Sequence, residues 1–172
     1  GLPRMRTKVA GDVIVEALKR AQGPAFRVVH FTIQDDHLHL IVEADGASEL
    51  AAGMKGLVCR LARGLNKVWR RRGSVFPKRF HDVVLGSLRA IRNALVYVLN
   101  NYRKHGVGLE RRGQRARGDE FSSANYFDGF ADHRQEYAPG VEGAHVAQGG
   151  WQLAVGWKRH YPLIRLEESP AR

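Results

Sequence analysis

Two histidines, His37 and His39, stand one residue apart in a segment rich in aliphatic residues. Because side chains alternate across a strand, both imidazoles would share one face and Leu38 and Leu40 the other. Neutral imidazole commonly binds divalent metals, so the pair predicts an ion on this face. The pattern also fits two surface histidines on a half-exposed sheet. A complete zinc site is not predicted, because zinc normally takes three or four nitrogen or sulfur ligands and the chain has one cysteine.

A tyrosine on the polar side of a predicted helix is the second candidate group. At about 100° per residue, the apolar stripe of residues 87–105 excludes Tyr97 and consists of Leu88, Ile91, Leu95, Val98, Leu99 and Tyr102. The residues that share the face of Tyr97 are Asn93, Asn101 and Lys104. A phenol there can attack phosphorus, a nearby cation can offset phosphate charge, and an amide oxygen can bind a metal. The alternative is a surface tyrosine that supports a neighbouring element.

Hydrophobic periodicity and turn residues predict the elements that must position these groups. Strands are expected at residues 25–33, 37–43 and 80–85, and helices at residues 12–22, 47–71 and 87–105. Asp12 and Ser87 are the expected N-caps of the first and third helices, and Gly106 ends the third. The predicted fold is therefore α+β, with helices packed on an antiparallel sheet in a body at residues 1–108.

Beyond the body, the composition changes to glycine, arginine and small polar residues. We expect residues 109–172 to form a loop-rich, basic C-terminal extension with a short helix near residues 151–160. The single cysteine, Cys59, excludes an internal disulfide and fits a cytoplasmic protein, and its apolar surroundings predict a small core residue. No segment approaches the roughly 20 apolar residues of a membrane-spanning helix.

The charge of the chain favours a polyanionic partner. It contains 28 Lys and Arg against 17 Asp and Glu, a formal net charge of +11. Such an excess attracts nucleic acid through phosphate contacts and counterion release. A basic stripe on the second predicted helix and the groups that extend it are the expected DNA contacts: Arg60, Arg63, Lys67, Arg70, Arg71, Arg79 and Lys104. A charged helix face that only aids solubility is the alternative.

Together, His37-Leu38-His39 and the later Tyr97-Val98-Leu99-Asn100-Asn101 resemble the HUH single-tyrosine transposases. Within that family, the chain looks most like the transposases associated with repetitive extragenic palindromes. The similarity covers about residues 2–108. Members of the family have a further strand ahead of the Leu-Pro-Arg segment with which this sequence begins. Asp36 stands where the family often has asparagine, and Asn101-Tyr102 replaces a frequent Asn-Pro.

The resemblance implies a mechanism and a substrate. His37, His39 and Asn101 would bind Mg²⁺ or Mn²⁺, and the ion would polarise a scissile phosphate. Tyr97 would attack that phosphate, leaving a 5′-phosphotyrosine and a free 3′-OH that can later reverse the reaction. The implied partner is single-stranded or hairpin DNA, bound by a monomer or homodimer close to the nucleoid.

Two other classes of protein remain open. One is a domesticated protein that holds single-stranded or hairpin DNA without cutting it. The other is a small-molecule phosphohydrolase of the histidine-triad kind, which also uses alternating histidines on a strand. That motif needs a third histidine, and Ile41 occupies the position.

Overall fold

A computed structural model of the chain describes residues 1–77, 80–101, 118–131 and 149–169. Within them the fold is α+β, as predicted, with four α-helices and one two-stranded antiparallel sheet. The order of elements is α1 (Lys8–Lys19), β1 (Phe26–Ile33), β2 (Leu38–Ala44), α2 (Ala47–Val68) and α3 (Leu88–Leu99), then a 3₁₀ turn (Ser123–Tyr126) and a π-helical turn (Gln152–Gly156) that continues into α4 (Trp157–His160).

The sheet is an antiparallel hairpin of the first two predicted strands. Its pairing runs from Phe26 opposite Ala44 to Ile33 opposite Leu38, with an irregularity between Val28 and His30. β-Branched and aromatic side chains suit a pleated surface that is packed on both sides, and β1 is buried over nearly its whole length. The tight connection at residues 34–37 keeps the predicted histidine pair at the start of β2.

The hairpin separates two hydrophobic clusters. The first contains α1, α2 and one face of β2, including Leu57, Leu61 and the partly buried Leu40. The second contains α3 and the opposite face of β2, including Ile41 and Leu95. Helices α1 and α2 therefore lie on one side of the sheet, and α3 lies on the other.

Helix α1 begins earlier than predicted. Its N-cap is Thr7, whose hydroxyl accepts a hydrogen bond from the Ala10 amide, so the prediction of Asp12 as the cap is wrong. Asp12 instead pairs with Lys8 one turn earlier. Ala10, which precedes Asp12, is buried, so the apolar face of the helix already begins before the predicted cap.

The strand predicted at residues 80–85 is not formed, which corrects the sequence analysis. These residues are irregular, and Val83 and Val84 are exposed by 71% and 87%. β-Propensity mostly reflects packing against cross-strand neighbours, and no strand in the described part of the chain lies beside this segment.

Cys59 is exposed, so its prediction as a core residue is also wrong. Buried positions of α2 follow the spacing of Leu57, Leu61 and Leu65, and two residues after Leu57 the helix has turned by about 200°. Helix α2 is also shorter at its end than the predicted 47–71.

The described parts of the C-terminal extension contribute to the second cluster. Phe127, Phe130, Leu153, Trp157 and Ile164 are buried there against α3. The short helix predicted near residues 151–160 is confirmed as the π-helical turn and α4. Among the described residues, no helix is long and apolar enough to cross a membrane.

Candidate active site

His37, which immediately precedes β2, and His39 of β2 meet at their ring nitrogens. His37 and His39 lie on the face of the sheet that carries Ile41 and faces the α3 layer. Their Nε2 atoms are 3.1 Å apart, and their rings are nearly perpendicular, with centroids 4.7 Å apart. The two imidazoles therefore contact each other, as expected for side chains on one face, and their role as ligands of one ion stays a prediction.

A carboxylate holds the first of these rings. The Asp36 carboxylate oxygen Oδ1 lies 2.6 Å from Nδ1 of His37. An ionised carboxylate only accepts hydrogen bonds, so Nδ1 carries the proton in this contact and Nε2 keeps its lone pair when the ring is neutral. Carboxylates that accept from a ligand histidine in this way orient many metal sites. The sequence analysis noted Asp36 only as a departure from the family pattern and missed this contact.

Helix α3 brings Tyr97 to the histidines. The Tyr97 ring lies edge to face with the His39 ring, at 5.0 Å between centroids and an angle of 79°. The helix is held on this face by Ile91 and Leu95, whereas Tyr97 remains 38% exposed. Ser87 caps the helix through the Ala90 amide, as predicted. A phenol that is partly open to solvent and next to two imidazoles is thus present, although the three residues come from different elements.

The spacing of the imidazoles fits a shared divalent cation. Two ligands at about 2.1 Å from an ion and at a right angle to each other lie about 3.0 Å apart. The Nε2–Nε2 distance of 3.1 Å is compatible with this value and is equally that of a hydrogen bond between the two rings. Mn²⁺ accepts imidazole together with oxygen ligands, which suits a pair completed by an amide, water or phosphate. Among the described residues, however, no group of three or more His, Cys, Asp or Glu is placed to hold a metal.

Asn101, the predicted third ligand, is in a different environment from Tyr97. Helix α3 ends at Leu99 with Asn100 as its C-cap, and Asn101 follows at 2% exposure. The α-helix that the sequence analysis assumed to run through residue 105 ends two residues before Asn101, so the relation of Asn101 to the face of Tyr97 no longer follows from α-helical periodicity. Its role as a metal ligand stays a prediction.

The far end of the same face of β2 has a structural contact. Glu43 pairs with Arg27 at 2.6 Å and accepts hydrogen bonds from the Gly150 amide at 2.9 Å. It thereby joins the hairpin to the start of the π-helical turn. This carboxylate is engaged away from the histidines, which lie four and six residues earlier on β2.

The basic stripe lies on the other side of the sheet. Arg60, Arg63, Lys67 and Arg70 are exposed, and Arg71 is half-buried, with its guanidinium donating to the Ser74 carbonyl. Since α2 packs on the first cluster and α3 on the second, the structure does not bring the stripe next to Tyr97. Arg79, Lys104, Arg103, His105 and Tyr102 lie outside the described residues.

A third histidine on this side of the sheet is structural. His30 of β1 is buried, with Nδ1 3.1 Å from the Ser123 hydroxyl and its ring edge-on to Phe127. Burial lowers the pKa of His30 to about 4, because an imidazolium there would lose its hydration. His30 is therefore neutral at physiological pH and ties the 3₁₀ turn to β1.

Compared with protein-family models, curated proteins and solved structures, the chain matches none of them.

Proposed function

We propose that the chain is a metal-dependent enzyme that nicks and rejoins single-stranded DNA through Tyr97, as the resemblance to HUH single-tyrosine transposases implies. One observation carries the proposal. The ring of Tyr97 on α3 lies 5.0 Å between centroids from the ring of His39 on β2, 58 residues earlier in the chain, and His39 in turn contacts His37.

The proposed reaction needs few groups. The Tyr97 oxygen attacks the scissile phosphorus and loses its proton to solvent. The new P–O bond links the 5′ phosphate of the downstream strand to Tyr97, while the P–O3′ bond breaks and the leaving oxygen of the upstream strand gains a proton as a 3′-OH. Attack by a 3′-OH on the phosphotyrosine reverses these steps and joins strands without an external energy source.

His37 and His39 are the residues that would hold the metal, with Asn101 or solvent completing its ligands. A bound Mg²⁺ or Mn²⁺ would supply Lewis-acid polarisation of the phosphate. Asp36 keeps the lone pair of His37 directed at the shared point. Because Tyr97 adjoins His39, its oxygen and a phosphate held at this point would be neighbours, which is the positioning that in-line attack requires.

The basic stripe supports nucleic acid as the partner and also constrains its path. A strand that contacts both Arg63 and Tyr97 must pass around an edge of the hairpin, because the two lie on opposite sides of it. Contacts from α2 would then be made by a part of the DNA distant from the scissile bond. A hairpin with a single-stranded extension has two separate parts, one that could contact α2 and one that contains the scissile bond.

Covalent capture tests this proposal. The full chain is incubated with Mn²⁺ and a 5′-labelled and a 3′-labelled form of one hairpin oligonucleotide, and products are separated on a denaturing gel. We expect an adduct carrying only the 3′ label, since Tyr97 retains the 5′ phosphate of the downstream strand. Tyr97→Phe should abolish the adduct, because it lacks the attacking oxygen, and should leave binding of the oligonucleotide unchanged.

The matched control is Tyr161→Phe, which removes the hydroxyl of a partly buried tyrosine packed on the second cluster. It should form adduct at the wild-type rate. His39→Ala should lower cleavage by more than tenfold, without rescue by Mn²⁺ up to millimolar levels. An adduct that persists in Tyr97→Phe would contradict the role of this residue.

A second function, binding of hairpin DNA without cleavage, is favoured by one observation. The described residues contain no third His, Cys, Asp or Glu that would complete a metal site. Binding of the hairpin by the wild-type chain, with no adduct across a panel of sequences in Mn²⁺, would establish this alternative.

A further inference from the structure

The start of the π-helical turn exposes a large aromatic ring. Trp151 is 55% exposed, whereas Trp157, further along the same segment, is fully buried. Burial of a tryptophan side chain is strongly stabilising, so a ring left in solvent on an otherwise well-packed segment suggests a partner that covers it. Val155, four residues later, is a second exposed apolar side chain on this turn.

The ring is held in one orientation by the backbone below it. An added Cβ at Gly156 would lie 2.7 Å from the Cζ3 atom of Trp151, so the indole rests directly on this glycine. The π-helical turn creates the arrangement, since its backbone hydrogen bonds join residues that are five apart, which is the separation of Trp151 and Gly156. Such turns are rare and occur often at functional sites. The part of the ring that Gly156 does not cover stays open to solvent.

A cation accompanies the exposed ring. The guanidinium carbon of Arg159 lies 5.9 Å from the Trp151 ring centroid, within the range of a cation–π contact. Arg159 belongs to the basic last turn of α4 and is exposed. Its neighbour Lys158 is paired with Asp128, whereas the guanidinium of Arg159 lies over the Trp151 ring.

The backbone that precedes Trp151 is anchored to β2, the strand that carries His39. The Gly150 amide, one residue before Trp151, donates to Glu43, which stands four residues from His39 on β2. At about 3.3 Å per residue, the two positions on the strand are about 13 Å apart. A few nucleotides of an extended single strand bridge such a distance.

We propose that Trp151 and Arg159 form a stacking platform for an unpaired base of the bound strand, with the indole on the base and the guanidinium on an adjacent phosphate. The choice of a DNA strand as ligand rests on the proposed function. Aromatic side chains beside cations bind single strands with little sequence preference, because every base presents a π-face. Double-stranded DNA, with its bases stacked internally, does not offer this face.

Fluorescence titration of the full chain with oligodeoxythymidine of about 12 nucleotides tests the proposal. Trp151 is the most exposed of the three tryptophans, so we expect quenching of emission on binding. Trp151→Ala should remove most of this quenching and weaken binding by about fivefold to 100-fold. Trp151→Phe should bind close to wild type, because it keeps a stacking face.

Two further variants separate stacking from charge. Trp69→Phe is the matched control, since it removes a partly buried tryptophan of the first cluster and should leave quenching intact. Arg159→Gln should weaken binding and reduce the slope of log K against log salt by about 0.7, the value for one single-strand phosphate that is no longer neutralised. A duplex of equal length should not quench. Binding by Trp151→Ala that equals the wild type, or equal quenching by the duplex, would overturn the platform.

The nature of the strand and the chemistry at Tyr97 have separate readouts. Stronger quenching by oligouridine than by oligodeoxythymidine would keep the stacking platform and assign it to RNA. Quenching by single strands with no covalent adduct would uphold the platform while the nicking function fails. An adduct that forms normally in Trp151→Ala, with unchanged affinity, would uphold the nicking function and refute the platform.

Discussion

At the scale of single residues, the site consists of side chains whose properties depend on their neighbours. His37 can offer Nε2 to a cation because Asp36 accepts from Nδ1, and His39 lies between this nitrogen and the ring of Tyr97. The contact of Asp36 with Nδ1 of His37 does not bring the carboxylate to the point where the two Nε2 atoms meet. Asp36 is a positioning residue, and its effect should be seen in metal binding before any chemistry takes place.

The first prediction concerns this carboxylate. Asp36→Ala should weaken Mn²⁺ binding by the full chain, without DNA, by about tenfold to 100-fold, which is the usual effect of removing a partner from a ligand histidine. Asp36→Asn should restore most of the affinity, because an amide oxygen still accepts from Nδ1. Binding is measured from the paramagnetic resonance signal of free Mn²⁺.

The control for this prediction is Asp35→Ala, which removes the preceding carboxylate. Asp35 pairs with Arg4 at 3.8 Å rather than with a histidine. The Asp35→Ala variant should bind Mn²⁺ like the wild type. Equal affinities of Asp35→Ala and Asp36→Ala for Mn²⁺ would contradict the positioning role of Asp36.

At the scale of elements, the site depends on what holds α3 and the extension against the hairpin. The segment that includes the 3₁₀ turn pairs with β1 at Thr32 and Ser122. Arg6 binds the buried Asp119 with two hydrogen bonds, and so links the start of the chain to the same segment. His30 adds a contact to this turn inside the second cluster. The hairpin is therefore enclosed by helices on one side and by α3 with the extension on the other.

A pH prediction follows from His30. The folded chain keeps His30 neutral until its pKa of about 4, whereas in the unfolded chain the ring takes up a proton below its ordinary pKa of 6.5. Stability is therefore full above pH 6.5 and is lost as the pH falls from 6.5 to 4, by roughly 3 kcal/mol at the lower limit. Urea unfolding at a series of pH values measures this loss.

The variant His30→Gln keeps a hydrogen-bonding partner for Ser123 and lacks the titrating ring. Its free energy of unfolding should change less than that of the wild type between pH 6.5 and 4. Parallel curves for the two proteins across this window would show that protonation of another group controls the acid sensitivity.

At the scale of the whole molecule, positive charge and the candidate site are divided between two sides of the sheet. The basic stripe on α2 points away from the first cluster, and Tyr97 and the histidines lie with the second. The net charge of +11 gives a general attraction for polyanions. Only contacts at particular phosphates distinguish a binding surface from that general field.

The salt dependence of binding makes this distinction. Replacement of Arg63 and Lys67 by Gln, both exposed on α2, should lower the slope of log K against log salt for a hairpin oligonucleotide by about 1 for each phosphate that is no longer neutralised. The affinity should fall uniformly across sequences, as measured by fluorescence anisotropy. Replacement of Lys19 and Arg20 by Gln, with the same change in net charge at the end of α1, should lower the slope much less. Equal slopes for the two double variants would mean that the stripe has no special role.

Local sequence determined the hairpin, the cap of α3 at Ser87 and the separation of Tyr97 from the apolar stripe. Each depends on periodicity or on a hydrogen bond within a few residues, so each can be inferred without a partner element. The shared face of His37 and His39 follows for the same reason, since alternation along a strand is a local property.

Tertiary packing decided the rest. The segment at residues 80–85 has the composition of a strand, but no neighbouring strand in the described chain pairs with it. Asn101 is buried just after the end of α3, and the indole of Trp151 lies against Gly156 and yet remains exposed. The meeting of Tyr97 with His39 joins two elements that are separated by α2 in the sequence. Such contacts depend on how amphipathic faces pack in three dimensions, which the pattern of a single segment does not encode.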